Sequence, residues 1–107
     1  MADSEPVVVV ADLVPLPGKE DAVEAALRRA VAATHEQDAG CELYAAHRGR
    51  KGFVVIEKWS SAEDLQKHGG GAAFAALSAE LDGLLAESIE VGLLQPLPAG
   101  DSELGAL

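Results

Sequence analysis

Basic residues are scarce in this sequence. Its 107 residues include 8 lysines and arginines but 18 aspartates and glutamates, so the formal net charge is −10. Proteins bind nucleic acid largely by neutralising its phosphates with Lys and Arg. The charge balance therefore excludes nucleic acid as the main partner.

Long apolar runs and cysteine pairs are also absent. No run approaches the ~20 apolar residues that span a membrane, and the start, MADSEP, is acidic where a signal peptide is basic. We therefore expect a cytoplasmic protein with no membrane partner. Cys41 is the single cysteine and has no Cys or His at zinc-site spacing, which predicts neither a disulfide nor a metal site. Its ordinary role is a small buried side chain, and a reactive thiol is the alternative.

What remains is the composition of one folded domain. Hydrophobic residues make up 49% and charged residues 24% of a chain whose length suits a single core. We expect a disordered segment over 1–6, a folded domain over 7–96 and a loose tail over 97–107, where Gly, Asp and Ser interrupt the apolar pattern.

Hydrophobic periodicity divides the domain into strands and helices. Runs of β-branched residues and alternating apolar residues predict strands, and apolar residues spaced three or four apart predict helices. Gly or Pro marks the ends of these elements. The expected elements are a strand at 7–14, a helix at 19–38, strands at 42–48 and 53–59 joined by GRKG, a helix from 61 to the three glycines 69–71, a helix from 72, and a strand at 89–94. A capping box at Ser60–Glu63 would begin the short helix, and Leu84 and Leu85 would extend the apolar face of the last one.

This order, β-α-β-β-α-α-β, predicts an α+β protein with a ferredoxin-like fold, in which helices cover one face of a four-stranded sheet. The other face is apolar too, because the first strand has almost no polar residues. An exposed apolar patch usually marks an interface, and symmetric dimers are the commonest assemblies. We therefore expect a homodimer that pairs through its sheet faces.

A candidate site follows from alternation in the third strand. Val54 and Ile56 would face the helices, which turns Glu57 and Trp59 toward the bare side of the sheet. His68, at the end of the short helix, and Tyr44, on the second strand, could reach the same space. A carboxylate, an aromatic wall and an imidazole that titrates near neutrality would suit a planar aromatic ligand. The alternatives are a packed Trp and a solvated His at a helix end.

No motif adds a reaction to this site. The chain has no phosphate-binding loop, Ser-His-Asp arrangement, HExxH or EF-hand spacing. His35 and His47 are interpreted as surface groups.

The chain does resemble a known family, the antibiotic biosynthesis monooxygenases with their quinol monooxygenase branch, over nearly all of 7–96. The resemblance lies in PGKEDAVEAALRRAV, AGCELY, FVVIEKWSSAEDLQKH and AAFAAL, taken in that order. It includes a Glu-x-Trp that closes the third strand and a His nine residues after that Trp. The family implies a ferredoxin-like protomer that pairs into a dimeric α+β barrel.

The resemblance also implies a chemistry, the cofactor-independent oxygenation of a phenol, anthrone or quinol by dioxygen. His68 would then be the base, Trp59 the ring wall, Glu57 and Tyr44 supporting polar groups, and Phe74 further apolar lining. A non-catalytic dimeric module that binds a small hydrophobic ligand is the alternative.

The haem-degrading branch of the family is disfavoured. Its members use an Asn on the first strand, a Trp on the short helix and a His on the next helix. Register places Ala11, His68 and Ser78 at those positions.

Overall fold

The structure is a computed structural model that describes residues 5–107. The predicted disorder over 1–6 therefore lies mostly outside the described residues. The elements follow the predicted order, with these bounds: β1 Val7–Leu13, α1 Glu20–Gln37, β2 Cys41–Arg48, β3 Phe53–Trp59, α2 Ala62–Gly69, α3 Ala72–Leu81 and β4 Glu90–Leu94. The predicted ferredoxin-like α+β fold is confirmed.

The four strands form one sheet in the order β2-β3-β1-β4, and each neighbouring pair is antiparallel. The predicted hairpin joins β2 to β3, closed by a hydrogen bond in which Gly49 N donates to Gly52 O at 2.7 Å. Because β1 and β3 lie in the centre, their side chains form the middle of both sheet faces.

Helix α1 begins and ends where the sequence indicates. Glu20 and Asp21 lie in its first turn, where the helix dipole favours negative charge. Beyond its end, Gly40 has a φ of +85°, and a Cβ at this position would lie within 2.7 Å of the Asp64 side chain. Glycine is therefore required at the connection to β2 both for its backbone angle and for space.

Two details of α2 and α3 differ from the sequence prediction. The N-cap of α2 is Ser61, whose hydroxyl accepts from Asp64 N at 3.2 Å, so the cap lies one residue after the predicted Ser60. Helix α3 ends at Leu81, and Leu84 and Leu85 lie in the following loop, tied to the loop after β1 by Leu16 N donating to Leu84 O at 2.8 Å. Gly83, with a φ of +77°, turns the chain out of the helix before the apolar spacing ends.

The face assignment for β3 was wrong. Burial in β3 alternates so that Phe53, Val55, Glu57 and Trp59 are buried, and they belong to or adjoin the core that contains Val23 and Leu27 of α1. The face that meets the helices, here the inner face, therefore holds the set with Glu57 and Trp59. Val54, Ile56 and Lys58 lie on the opposite, outer face and are half-buried. The helix layer takes the larger aromatic side chains, because they fill the space between sheet and helices better than two branched aliphatics do.

The C-terminal segment has local structure beyond the predicted loose tail. The side chain of Asp101 accepts from Glu103 N at 2.8 Å and Leu104 N at 3.0 Å, which forms a capped turn. The Lys58 ammonium on the outer face donates to the carbonyl of Leu107. The end of the chain therefore returns to the sheet.

Within residues 5–107, no helix has both the length and the apolar character needed to cross a membrane.

Candidate active site

A cavity of about 310 Å³ lies between the inner face of the sheet and the helices. This volume is at the lower end of the ~300–1,000 Å³ range of small-molecule sites. Its walls are mostly apolar and come from every strand and helix: Val9, Ala11, Leu13, Leu27, Tyr44, Val55, Glu57, Leu65, His68, Gly69, Phe74, Leu77, Ile89 and Val91. The arrangement suits a small apolar molecule with few polar groups.

The His68 imidazole is held in place by a hydrogen bond and by its burial. It lies in the last turn of α2, and its side chain is only 6% exposed. Its Nδ1 lies 2.7 Å from Oδ2 of Asp38, the residue that follows α1. Burial and this partner contradict the alternative reading of His68 as a solvated helix cap.

Three aromatic rings surround the His68 imidazole. The Trp59 ring is closest, with centroids 4.6 Å apart and planes inclined by 31°. Tyr44 and Phe74 approach more steeply, at centroid distances of 5.4 and 5.6 Å. These contacts leave the imidazole little freedom to rotate, so its two nitrogens have fixed directions.

Glu57 supplies a carboxylate to the same end of the cavity. Its Oε1 accepts a hydrogen bond from the Trp59 indole Nε1 at 2.9 Å. Burial raises the pKa of the Glu57 carboxyl above its usual value, while the indole N–H and His68 oppose that rise. A buried carboxyl with a shifted pKa in an apolar cleft is typical of functional sites.

Tyr44 adds a phenol beside these two groups. Only 4% of the residue is exposed, and burial raises the pKa of its hydroxyl above the usual value, with the nearby Glu57 charge adding to the shift. The hydroxyl therefore keeps its proton at neutral pH and can donate a hydrogen bond.

The structure brings together the five residues named from the sequence, although on the inner face and not on the predicted bare face. Tyr44, Glu57, His68 and Phe74 line the cavity. Trp59 is fully buried behind them and is not part of the lining, so it orients Glu57 and His68 instead of forming a wall.

Sequence reasoning missed Asp38, which lies 30 residues before His68. No spacing rule connects a residue at one helix end to a residue at another, so only the folded chain reveals the pair. It also missed Leu65 and Ile89 among the lining residues.

The remaining candidates lie outside this cluster. The half-buried Cys41 pairs with Trp59 in the sheet register, and burial raises the pKa of its thiol, which fits the ordinary role predicted for it. His35 Nε2 lies 3.0 Å from the carbonyl of Tyr44, and both His35 and His47 are exposed, as predicted. No group of three or more His, Cys, Asp or Glu side chains is placed to hold a metal ion in the region from residue 5 onward.

Comparison with known proteins places the chain in a family. A model of the antibiotic biosynthesis monooxygenase family matches residues 6–80. The chain belongs to that family. Membership confirms the resemblance seen in the sequence.

Relatives of this family share most of their length with the chain. Rv0793 of Mycobacterium tuberculosis, named as a candidate monooxygenase, is 29% identical over 96 residues, or 88% of this chain and 94% of that protein. The solved structure of Rv0793 superposes with a TM-score of 0.81 over 91% of this chain and 100% of that chain.

Two further solved structures have the same fold. A Caulobacter crescentus protein, titled as a candidate antibiotic biosynthesis monooxygenase, has 25% identity and a TM-score of 0.82, covering 90% of this chain and 93% of its own. A Bacteroides fragilis protein described as dimeric and ferredoxin-like has a TM-score of 0.73 at 9% identity, covering 84% and 95%.

Proposed function

We propose that the protein is a cofactor-independent monooxygenase that oxidises a small aromatic phenol, anthrone or quinol with dioxygen. The observation that supports this most is the His68 imidazole, held by the Asp38 carboxylate at the polar end of an otherwise apolar cavity. Electron-rich aromatic rings need an apolar space to enter and a base to ionise them. Both requirements are met by residues of this chain.

The first step is proton removal by His68. A neutral imidazole accepts the acidic proton of the bound phenol or anthrone, which leaves an electron-rich anion in the cavity. The apolar walls exclude water, which strengthens electrostatic interactions with that anion. Tyr44 donates a hydrogen bond to the substrate oxygen on which negative charge develops.

The oxidation itself balances without another reductant. The substrate anion passes electrons to dioxygen and a C–O bond forms. The resulting peroxide takes back the proton held by His68, and the hydroperoxide then loses water as its C–H and O–O bonds break. One oxygen atom stays in the product as a carbonyl and the other leaves as water. The substrate loses two hydrogen atoms and supplies all four electrons that dioxygen accepts.

We also propose that the protein is a homodimer that pairs through its sheets. Strand β4 exposes the apolar side chain of Leu94, which pairs with Val8 on the outer face, by 51%. On the outer face, Val10 and Ile56 are only half-buried. A second copy would cover this surface with an equally apolar one, as expected for a two-fold interface.

Oxygen uptake tests the proposed activity. Chelator-treated protein is mixed with a panel of hydroquinones and anthrones, with boiled protein as the control for autoxidation. We expect uptake above the boiled control and, with ¹⁸O₂, one labelled oxygen atom in the product. If aromatic ligands raise the Tm of the protein without any uptake across the panel, the non-catalytic binding module is correct instead, since any ligand selective for the folded state stabilises it.

A further inference from the structure

Asp38 lies outside the cavity lining but touches the residue that the proposed reaction depends on. We propose that Asp38 is a positioning residue that holds His68 in the tautomer whose Nε2 is free to accept a proton. This inference rests on the proposed function for its catalytic meaning. The tautomer itself is a property of the resting protein.

The tautomer follows from the chemistry of the pair. An ionised carboxylate has no proton to donate, so it can only accept a hydrogen bond. At 2.7 Å from Asp38 Oδ2, the Nδ1 atom of His68 must therefore be the nitrogen that carries the proton. A neutral imidazole has one N–H and one lone pair, which leaves the lone pair on Nε2. Among the described residues, none forms a hydrogen bond with His68 Nε2. Because His68 lines the cavity, Nε2 is the ring nitrogen available to a bound substrate.

Burial strengthens the hydrogen bond between Asp38 and His68 enough to hold the tautomer that is protonated on Nδ1. The side chains of His68 and Asp38 are 6% and 12% exposed, so water competes weakly for either partner. A charge-assisted hydrogen bond in such surroundings is shorter and stronger than a neutral one. The imidazole cannot turn over without losing this bond and disturbing its contact with Trp59, whose ring centroid is 4.6 Å away.

The chain also fixes where Asp38 lies. Its backbone N–H donates to Thr34 O at 3.0 Å, which ties it to the last turn of α1. The connection that follows is joined to the one before α2, because Ser60 N donates to Gly40 O at 2.9 Å and the Ser60 hydroxyl donates to the Asp64 carboxylate on α2. Hydrogen bonds thus join the connection after α1, which contains Asp38, to the start of α2, which contains His68.

Nitrogen-15 NMR of labelled histidine tests the inference on the resting protein. The protonated and unprotonated ring nitrogens have well separated chemical shifts. In the wild-type protein, with the imidazole neutral, we expect the proton of His68 on Nδ1. In Asp38→Ala we expect it to move largely to Nε2, and in Asp38→Glu, which keeps the carboxylate, to stay on Nδ1. A wild-type spectrum with the proton on Nε2 would overturn the inference without requiring any variant to fold.

Kinetics then test its consequence. Asp38→Ala should lower kcat at least about 10- to 100-fold, the range found when the partner that orients a metal-bound histidine is removed. The KM should change less than about twofold, because Asp38 does not touch the substrate. Asp38→Glu should recover most of the lost kcat. The matched control is Glu36→Ala, which removes an exposed carboxylate from the same helix end and should leave kcat unchanged.

The two readouts separate the two proposals. If wild-type His68 has its proton on Nδ1 and Asp38→Ala moves it, but no substrate in the panel is oxidised, the positioning inference stands and the monooxygenase proposal fails. If wild-type protein consumes oxygen while Asp38→Ala keeps both the tautomer and kcat, the positioning inference fails and the activity stands.

Discussion

The inner and outer faces of the sheet are built from the same strands and have similar apolar side chains, but only the inner face contains buried ionisable groups. The buried polar residues in the described part of the chain are Thr34, Glu57 and His68, all on the helix side of the sheet. The polar residues Asp12, His47 and Lys58 on the outer face keep contact with solvent.

This difference indicates where the chemistry lies. Burying Glu57 and His68 costs free energy, and apolar residues of similar size would pack there at least as well. The chain instead gives each of them a partner, Trp59 for the carboxylate and Asp38 for the imidazole. The outer face has no such cluster, and its polar side chains remain in contact with solvent beside the apolar ones. The outer face therefore resembles a protein–protein contact surface, and the inner face resembles an active site.

The largest expected difference between the faces is in stability. Trp59→Ala should lower the free energy of unfolding by about 3–5 kcal/mol, because it empties a fully buried position and removes the partner of Glu57. Ile56→Ala, on the outer face of the same strand, should cost about 1–2 kcal/mol at low protein concentration, because Ile56 is only half-buried. Urea denaturation measures both, and equal losses would show that the two faces are not packed differently.

Activity should distinguish the faces almost as strongly. His68→Ala should lower kcat by about 10²- to 10⁴-fold, the usual contribution of a general base. His47→Ala removes an exposed imidazole from the outer-face side of β2 and should leave kcat within twofold. Initial rates of oxygen uptake provide the comparison. Unchanged turnover in His68→Ala would remove this residue from the mechanism.

Association should depend on the outer face. Leu94→Asp places a charge on β4 opposite Val8, in a surface that the proposed dimer covers. Because each substitution occurs twice in a two-fold interface, the dimer should weaken at least ~100-fold. Sedimentation equilibrium should give twice the 11.0 kDa chain mass for wild type and the single mass for the variant. Ala32→Asp, on the exposed surface of α1, is the control. A monomeric wild type would disprove the dimer.

The smallest expected effect concerns pH. Burial raises the pKa of Glu57 above 4.5, so the folded state holds this proton more tightly than the unfolded state does. Protonation of Glu57 therefore stabilises the folded state below pH 4.5. This stabilisation is lost as the pH rises through the higher pKa that Glu57 has in the folded state. Glu57→Gln keeps an oxygen for the Trp59 N–H and cannot ionise. It should therefore raise Tm slightly at pH 7 relative to wild type, with the gain vanishing below pH 4.5.

Thermal denaturation across this pH range measures the effect of Glu57→Gln. A Tm gain that is the same at pH 4 and pH 7 would show that the Glu57 charge is not its cause.

Much of the fold could be predicted because its signals are local. The acidic start of α1, Gly40 after its end and the glycines after α2 mark boundaries that the structure confirms to within two residues. The apolar spacing around Leu84 misled the prediction of α3, because Gly83 ends the helix while the pattern continues. The candidate site residues were named from β3 and from the family resemblance, and they do lie together.

By itself the sequence determined two alternating sets of side chains on β3, since successive residues of a strand must point to opposite faces. It could not determine which set meets the helices, because both sets are mainly apolar and the choice depends on how their volumes fit the helix surface. Only the tertiary structure placed Glu57 and Trp59 inside. It also brought Asp38 to His68 across 30 residues, since a contact between two helix ends depends on how the whole chain packs and on no local pattern.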